Sequence, residues 1–385
     1  MTKPIHPTRL FLASCMALIV TAMTFAIRAR LELVFQTDFH LSSEDLGFAF
    51  APAFYGFTIA MIIGGPLVDI LGMKRIIWIA FLCHALGIVL TITATGFWSL
   101  FLGVLATGLG NGMVEAACNP LVTALFPAEK VKMLNRFHVW FPGGIMIGSI
   151  IAYFMIDVAH LNWQMLVAVL AIPLVIYGFL FFSEELPKTE RVTLGISTGD
   201  MWKAVGSPLF LFMGFCMLLT ASTELGTNQR IDSLLQSTGV SAILVLAFIN
   251  GIMAVGRGFA GSVVHKLSSS GMLLFSAFFS LLGLMAMSYS SGAMTFVAAG
   301  IFAIGICYFW PTMLGFVSEK IPASGALGLS VMGGLGMFSV SIVLPVMGRF
   351  MDTSATGAET LRYVAVLPSI LLVAFIYLFI THRKN

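Results

Sequence analysis

Carboxylate and amide side chains lie inside long apolar segments of this sequence. Glu115 and Asn119 are four residues apart in one such segment, so on a helix they share a face. A carboxylate at membrane depth costs about 3 kcal/mol or more unless it is paired, hydrated or protonated. Glu115 could therefore exchange a proton, and the Asn119 amide could bond a substrate hydroxyl. The structural alternatives are a salt bridge from Glu115 to an arginine and an interhelical hydrogen bond for Asn119.

Two arginines lie at the end of the first apolar segment. Arg28 and Arg30 precede Glu32 and lie too deep to be simple anchors if the helix extends to Phe35. A guanidinium group there can form an internal ion pair with Glu115 or Glu32, or clamp an anionic substrate such as a carboxylate or phosphate. Positions 28 and 30 diverge on a helix, so both cannot face one ligand equally, and Arg28 is the candidate.

A second polar cluster lies in the second half of the chain. Glu224 and Asn228 are again four residues apart, Gln229 follows them, and Gly226 interrupts the segment. We interpret this pattern as a broken membrane helix whose side chains bond substrate hydroxyls. The alternative is a helix end that frays into water.

Aromatic side chains in the apolar segments could stack on a sugar ring. His138 and Trp140 lie in one segment, and Tyr308 and Trp310 lie in another. We take His138 and Trp310 as candidates, because a polar imidazole at lipid depth needs a partner and a tryptophan offers a large flat face. Packing or a place at the membrane interface is the alternative for each ring.

Composition predicts the elements that must hold these residues. The 385 residues are 59% hydrophobic and 10% charged, with mean hydropathy +1.00, whereas a soluble domain carries about 25% charged residues. A membrane span needs about 20 apolar residues, and all spans must be helical, because an open strand edge is not tolerated in lipid. Twelve spans are predicted at 10–35, 46–70, 76–96, 98–126, 135–156, 163–183, 208–235, 240–265, 271–290, 292–318, 325–350 and 360–380.

The same composition excludes several function classes. Twelve spans leave no room for a soluble catalytic domain, and no hydrolase, nucleotide-binding or metalloprotease motif occurs, so we expect no enzyme, cofactor or metal. The net charge of +3 gives no reason to expect nucleic acid as a partner. All five cysteines lie inside apolar segments without metal-ligand spacing. The chain is therefore expected to work in contact with membrane lipid.

Lysine and arginine in the loops predict the orientation. With a cytoplasmic N-terminus, fourteen fall on the cytoplasmic side, whereas Arg349 and Arg362 fall on the other. The fourteen are Lys3, Arg9, Lys74, Arg75, Lys130, Lys132, Arg136, Lys188, Arg191, Lys203, Lys266, Lys320, Arg383 and Lys384. We expect both termini in the cytoplasm and the chain in the cell inner membrane.

A charged linker divides the spans into two sets of six. We predict an N-terminal half at 1–183, a cytoplasmic linker at 184–205 and a C-terminal half at 206–385. An internal repeat supports this division, because Pro120 and Gly143 recur as Pro311 and Gly333 about 190 residues later.

The loop after the second span carries a longer pattern. Gly65, Asp69, Gly72, Lys74 and Arg75 are spaced as G-x-x-x-D-x-x-G-x-K-R. Glycines permit a tight turn and close helix approach, and the two cations hold the loop in the cytoplasm. The pattern resembles the loop signature of the major facilitator superfamily, which implies an all-α polytopic fold of 12 transmembrane helices in two six-helix halves.

The fourth span narrows the resemblance. Glu115-Ala-Ala-Cys-Asn119-Pro120-Leu-Val-Thr123 is similar to a stretch of the fucose–galactose–glucose:proton symporter family, which includes the L-fucose permease. The resemblance implies proton coupling at Glu115 and a sugar as solute. That family also has an aspartate in its first span, where this sequence reads Arg28-Ala29-Arg30.

The leading hypothesis from sequence is a proton-coupled sugar symporter that works by alternating access as a monomer. Glu115 carries the proton, and Asn119, Glu224, Asn228 and Gln229 bond the solute. The alternatives are an organic-anion carrier centred on Arg28, a multidrug or lipid exporter and, from another class, a transporter-like membrane sensor. Flux into liposomes separates a sensor from a transporter.

Overall fold

The computed structural model describes residues 5–127, 133, 136–188, 198–353 and 356–382, and this part of the chain is helical without strands. The helices are α1 (Pro7–Arg30), α2 (Glu32–Phe39), α3 (Ser43–Phe50), α4 (Pro52–Leu71), α5 (Met73–Ile92), α6 (Phe97–Leu125), α7 (Trp140–Ala152), α8 (Trp163–Ala168), α9 (Ala171–Phe182), α10 (Thr198–Val205), α11 (Pro208–Ala221), α12 (Thr227–Gln229), α13 (Ile231–Leu235), α14 (Ala242–Gly258), α15 (Ala260–Tyr289), α16 (Met294–Ile306), α17 (Phe309–Lys320), α18 (Gly325–Asp352), α19 (Gly357–Val364) and α20 (Val366–His382). Two π-helical turns, Tyr153–Val158 and Ser222–Gly226, follow α7 and α11.

Within the described part of the chain, eleven helical segments are long and apolar enough to cross a membrane. The remaining predicted span, 240–265, falls on α14, which has 17 residues, and on the first part of α15. Non-helical backbone at Ser268, with φ 60° and ψ 164°, breaks α15. Residues 242–267 are thus helical except at Phe259, and the next predicted span begins after the break. The prediction of an all-α polytopic fold is confirmed.

The chain forms two compact units. The first contains Met1–Arg28 and Ala49–Ser197, and the second contains Ala29–Phe48 and Thr198–Asn385. Residues 29–48 end the first predicted span and begin the second, yet they pack with the C-terminal part of the chain. The predicted boundaries at 183 and 206 do not anticipate this assignment, and the two functional halves remain a prediction.

Small residues set the packing of α6 in the first unit. Gly108 and Gly112 face α4, where a Cβ at Gly108 would come within 2.6 Å of the Pro52 carbonyl oxygen. Gly103 faces Thr91 of α5 on the other side. Close approach through small residues is a usual means of association between membrane helices. It fixes the helix that carries Glu115 between two neighbours.

The second unit packs in the same way. On α15, Gly283 lies against Phe302 of α16, and Gly305 of α16 lies against Ser280 in return. The π-helical turn after α11 contacts α18, where a Cβ at Gly226 would meet Val343. These contacts hold the polar segment that follows α11 in the interior of the unit.

Candidate functional site

Three polar side chains form a hydrogen-bonded chain in the first unit. The Asn119 amide nitrogen donates to Glu115 Oε2 at 2.7 Å and to the Glu115 carbonyl at 3.0 Å. Asn119 Oδ1 is then left to accept from His138 Nε2, which lies 3.0 Å away. Because an amide oxygen cannot donate, Nε2 carries the hydrogen in this arrangement. Glu115, only 8% exposed, is therefore linked through one amide to an imidazole.

Local sequence explains why Asn119 can reach Glu115. The two residues are one turn apart on α6, so their side chains are neighbours. Pro120 lies inside the helix and has no amide hydrogen to give to the Ala116 carbonyl, which loosens the backbone bonding at this turn. The helix nevertheless continues to Leu125, so the turn that holds both polar residues keeps its helical spacing.

Arg28 lies among aromatic rings of the same unit. Its guanidinium carbon is 5.0 Å from the ring centre of Phe25, 5.2 Å from that of Phe54 and 5.8 Å from that of Phe50. Aromatic faces attract cations, and the effect is about 2 kcal/mol where water is excluded. Arg28 is 6% exposed, so the charge that the sequence predicts at this depth is present and surrounded by aromatic groups.

The predicted polar cluster of the second unit lies on an irregular helix. Residues Ser222–Gly226 form a π-helical turn, α12 follows, and the backbone departs from helical angles at Arg230. Glu224 Oε1 lies 3.4 Å from a terminal nitrogen of Arg257 on α14. Arg257 Nε also donates to the Cys307 carbonyl at 3.2 Å. The broken helix is present as predicted, whereas the ion pair with Arg257 was not predicted.

Asn228 and Gln229 are buried in this segment, at 3% and 1% exposure. Neither amide atom of Asn228 has a hydrogen-bond partner among the described residues. Trp310 lies near the start of α17, is partly exposed and packs against Gly336 of α18. The structure thus brings Glu224 and Asn228 into one buried segment, and it places Trp310 on a neighbouring packed helix.

Sequence reasoning missed a pair of reciprocal salt bridges in the second unit. Arg230 lies 2.6 Å from Glu32 Oε1, and Arg30 lies 3.3 Å from Asp232 Oδ2. The sequence contains a sign of these salt bridges, because one Arg-x-acid spacing occurs twice, 200 residues apart, as Arg30-Leu-Glu32 and Arg230-Ile-Asp232. The two Arg-x-acid segments pair crosswise, and Glu32, which the sequence offered as a partner for Arg28, is bonded to Arg230.

The loop signature residues lie where α4 meets α5. Gly72 separates the two helices with φ 83°, a left-handed angle that favours glycine. Lys74 lies 3.7 Å from Glu185, and Arg75 is exposed. A Cβ at Gly65 would meet no atom within 4 Å, so the close helix approach expected at this glycine is absent from the described contacts. The Asp69 side chain lies outside the described part.

Many apolar helices long enough to cross a membrane, which bury carboxylates, amides and guanidinium groups, are the features of a multi-pass membrane protein. The chain belongs to the Major Facilitator Superfamily, whose family model matches residues 10–328. The predicted superfamily membership is confirmed, and the chain is a transporter rather than an enzyme. Among residues 5–127, 133, 136–188, 198–353 and 356–382, no group of three His, Cys, Asp or Glu side chains could hold a metal ion.

Individual relatives are distant. The hexuronate transporter of Bacillus subtilis (strain 168) is 24% identical over 387 residues, which cover 83% of this chain and 90% of the relative. The inward-open, partially occluded xylose transporter XylE from E. coli superposes with a TM-score of 0.80 at 13% identity, covering 97% of both chains. The E. coli fucose:proton symporter FucP superposes with a TM-score of 0.66 at 15% identity, covering 95% of this chain and 98% of FucP. At these identities the structural likeness shows the fold.

Proposed function

We propose that this transporter is a proton-coupled sugar symporter and that Glu115 carries the coupling proton. The observation that carries the proposal is the hydrogen-bonded chain from Glu115 through Asn119 to His138, which joins two membrane-spanning segments of the first unit. A buried carboxylate bonded to a single amide can exist in either protonation state, because an amide can donate to a carboxylate and can also accept from a carboxylic acid after turning over.

Protonation and solute binding are coupled through Asn119 in this proposal. In the structure the Asn119 amide nitrogen donates to Glu115 Oε2, and the Asn119 oxygen is held by His138. When Glu115 is protonated, its hydroxyl donates to the turned-over Asn119 oxygen, and the Asn119 amino group then points away from Glu115 and can donate to a sugar hydroxyl. Within the second unit, Glu224, Asn228 and Gln229 remain candidate hydrogen-bonding residues for the solute, and Trp310 remains a candidate stacking ring.

The wider arrangement follows the sequence expectations. The halves 1–183 and 206–385 change their relative position by alternating access, with 184–205 as the linker between them. We place the protein in the cell inner membrane as a monomer, surrounded by lipid and with both termini in the cytoplasm. Two structural relatives are described as a xylose transporter and a fucose:proton symporter, which supports a sugar as the solute class.

A second candidate is carriage of an organic anion. One relative that covers 83% of this chain is described as a hexuronate transporter, and a hexuronate bears a carboxylate. Arg28 would bind that carboxylate through its guanidinium group, which fits a planar anion through two parallel hydrogen bonds. The two candidates share a membrane pathway and differ in the charge of the solute.

The test is uptake by the purified protein in liposomes with and without an inward proton gradient, with radiolabelled xylose, fucose and glucuronate as probes. Glu115→Gln should abolish gradient-driven accumulation and retain solute exchange, because glutamine keeps the hydrogen bonds and loses the proton. Glu185→Gln, an exposed carboxylate near the α4–α5 loop, is the matched control and should behave as wild type. Gradient-driven uptake that survives Glu115→Gln would remove Glu115 from the coupling.

A further inference from the structure

Two buried arginine–glutamate pairs in the second unit differ in how firmly they are held. Arg230 is fixed by Glu32 at 2.6 Å and by the Ser43 and Leu344 carbonyls at 2.7 and 2.8 Å, with no exposed side-chain surface on either charge. Arg257 meets Glu224 at 3.4 Å and the Cys307 carbonyl at 3.2 Å. Charge-assisted N–H···O bonds are normally about 2.7–2.9 Å long. The Arg257–Glu224 pair is therefore loosely bonded.

The loosely bonded pair also keeps accessible surface inside a membrane-spanning region. The Arg257 side chain is 13% exposed and the Glu224 side chain is 5% exposed. A guanidinium group has five N–H donors, and within the described residues Arg257 bonds through Nε and one terminal nitrogen. Donors therefore remain through which an incoming carboxylate can bind Arg257 before that of Glu224 leaves.

A neighbouring amide supplies an independent sign of a ligand. Asn228 follows Glu224 by four residues and is 3% exposed, with neither amide atom hydrogen-bonded to a described residue. An unbonded buried amide costs about 1–3 kcal/mol, which a ligand bearing a donor and an acceptor would recover. Asn228 lies on a segment whose first turn is π-helical, and π-helical distortions are frequent at functional sites.

We infer that Arg257, Glu224 and Asn228 form a carboxylate-exchange site, in which the carboxylate of a sugar acid replaces that of Glu224 at Arg257. Glu224 takes up one proton as it leaves the guanidinium group, and Asn228 bonds a hydroxyl of the same solute. At this site one anion and one proton bind together without net charge, in addition to the proton that Glu115 carries in the proposed function. The inference deepens the proposed function and rests on it, since it names the solute as a proton-coupled sugar acid.

The groups around Glu224 allow this exchange. Arg257 lies on α14, and the Cys307 thiol and the Tyr308 hydroxyl lie between α16 and α17, where the Tyr308 hydroxyl donates to the Gly256 carbonyl. The helices α11, α18 and α20 also pack against the turn that carries Glu224, and α18 presents Val343 and Met347 at Gly226. In the described part of these surroundings, Arg257 is the cation that contacts the carboxylate.

The experiment compares two probes with the same ring, glucuronate and glucose, which differ at C6. Equilibrium binding to the purified protein in lipid nanodiscs gives both dissociation constants, and a pH indicator in weak buffer reports proton uptake. Arg257→Gln should weaken glucuronate binding by about 10- to 100-fold, the loss expected for charged hydrogen bonds, and change glucose binding less than about twofold. Glu224→Gln should retain glucuronate binding and take up about one proton fewer per ligand than wild type.

Two further variants separate anion binding at Arg257 from damage to the fold and from anion binding at Arg28. Glu224→Gln/Arg257→Gln removes both charges together, so a loss of glucuronate binding in this variant cannot come from an uncompensated buried charge. Arg28→Gln tests the other candidate anion receptor, and the exposed Glu359→Gln/Arg362→Gln pair is the matched control.

Loss of glucuronate binding in Arg28→Gln but not in Arg257→Gln would overturn the inference. Glucose transport without glucuronate binding would also overturn the inference and leave sugar symport standing. An absence of gradient-driven uptake of xylose, fucose, glucose and glucuronate alike would refute the proposed function itself.

Discussion

At the scale of single residues, Arg230 and Glu32 place opposite charges where neither has exposed surface. Arg230 also donates to two main-chain carbonyls, whereas its Nε and Glu32 Oε2 have no hydrogen-bond partner among the described residues. Removing both charges from water is expensive, and incomplete bonding recovers only part of that cost. The pair is therefore better understood as a constraint on which segments meet than as a large source of stability.

Removing one charge of this pair should destabilise the protein much more than removing both charges. Glu32→Gln leaves a buried guanidinium without a counter-ion, and we expect it to lower the free energy of unfolding by about 3–5 kcal/mol. Glu32→Leu/Arg230→Met should recover most of this loss, because apolar side chains of similar volume avoid the desolvation cost. Thermal unfolding of the purified protein in detergent measures both variants. A double variant no more stable than Glu32→Gln would show that the ion pair itself stabilises the fold.

At the scale of helices, glycine decides how closely α6 approaches its neighbours. A Cβ at Gly108 would come within 2.6–2.8 Å of backbone atoms of Pro52 and Ala53, which cannot move without moving α4. A Cβ at Gly143 on α7 would have no atom within 4 Å. The two glycines are both helical, so they separate the effect of packing from that of backbone freedom.

We expect Gly108→Ala to destabilise the protein by about 1–3 kcal/mol, the usual cost of overpacking. Gly143→Ala should be neutral or stabilising by up to about 1 kcal/mol, since alanine favours the helix where space allows. The midpoint of thermal unfolding in detergent, recorded for both variants under the same conditions, gives the comparison. Equal midpoints would mean that α4 and α6 can separate at little cost.

The helices and the Glu115–Asn119 contact could be predicted from sequence for one physical reason. Lipid requires continuous apolar helices, and within a continuous helix a spacing of four residues fixes which side chains meet. Other features depended on information that local spacing does not contain. The π-helical turn at Ser222–Gly226 shifts the register inside a span, and Glu32 meets a partner 198 residues away. Only the repeated Arg-x-acid spacing hinted at that partner.

At the scale of the whole molecule, residues 29–48 connect two helices of the first unit while packing in the second. The Asp352 carboxylate accepts from the Ser43 and Glu44 amides at the start of α3, and Arg230 bonds the Ser43 carbonyl. A transporter that works by alternating access must change the arrangement of its halves in every cycle. The chain must then either release these contacts or flex at 28–29 and 48–49.

Release of the contacts is the expected outcome, because residues 29–48 fall within the predicted half 1–183 and the α3 contacts to Asp352 and Arg230 are hydrogen bonds at its start. Glu44→Cys/Asp352→Cys joined by a short bismaleimide should then abolish net uptake into liposomes, while solute binding persists. A long flexible bismaleimide on the same residues should restore uptake. Each single-cysteine variant, treated with the same reagents, is the control for reaction at the native cysteines and for loss of the helix cap. Undiminished uptake with the short linker would instead place the movement at 28–29 and 48–49, with residues 29–48 travelling as part of the second unit throughout the cycle.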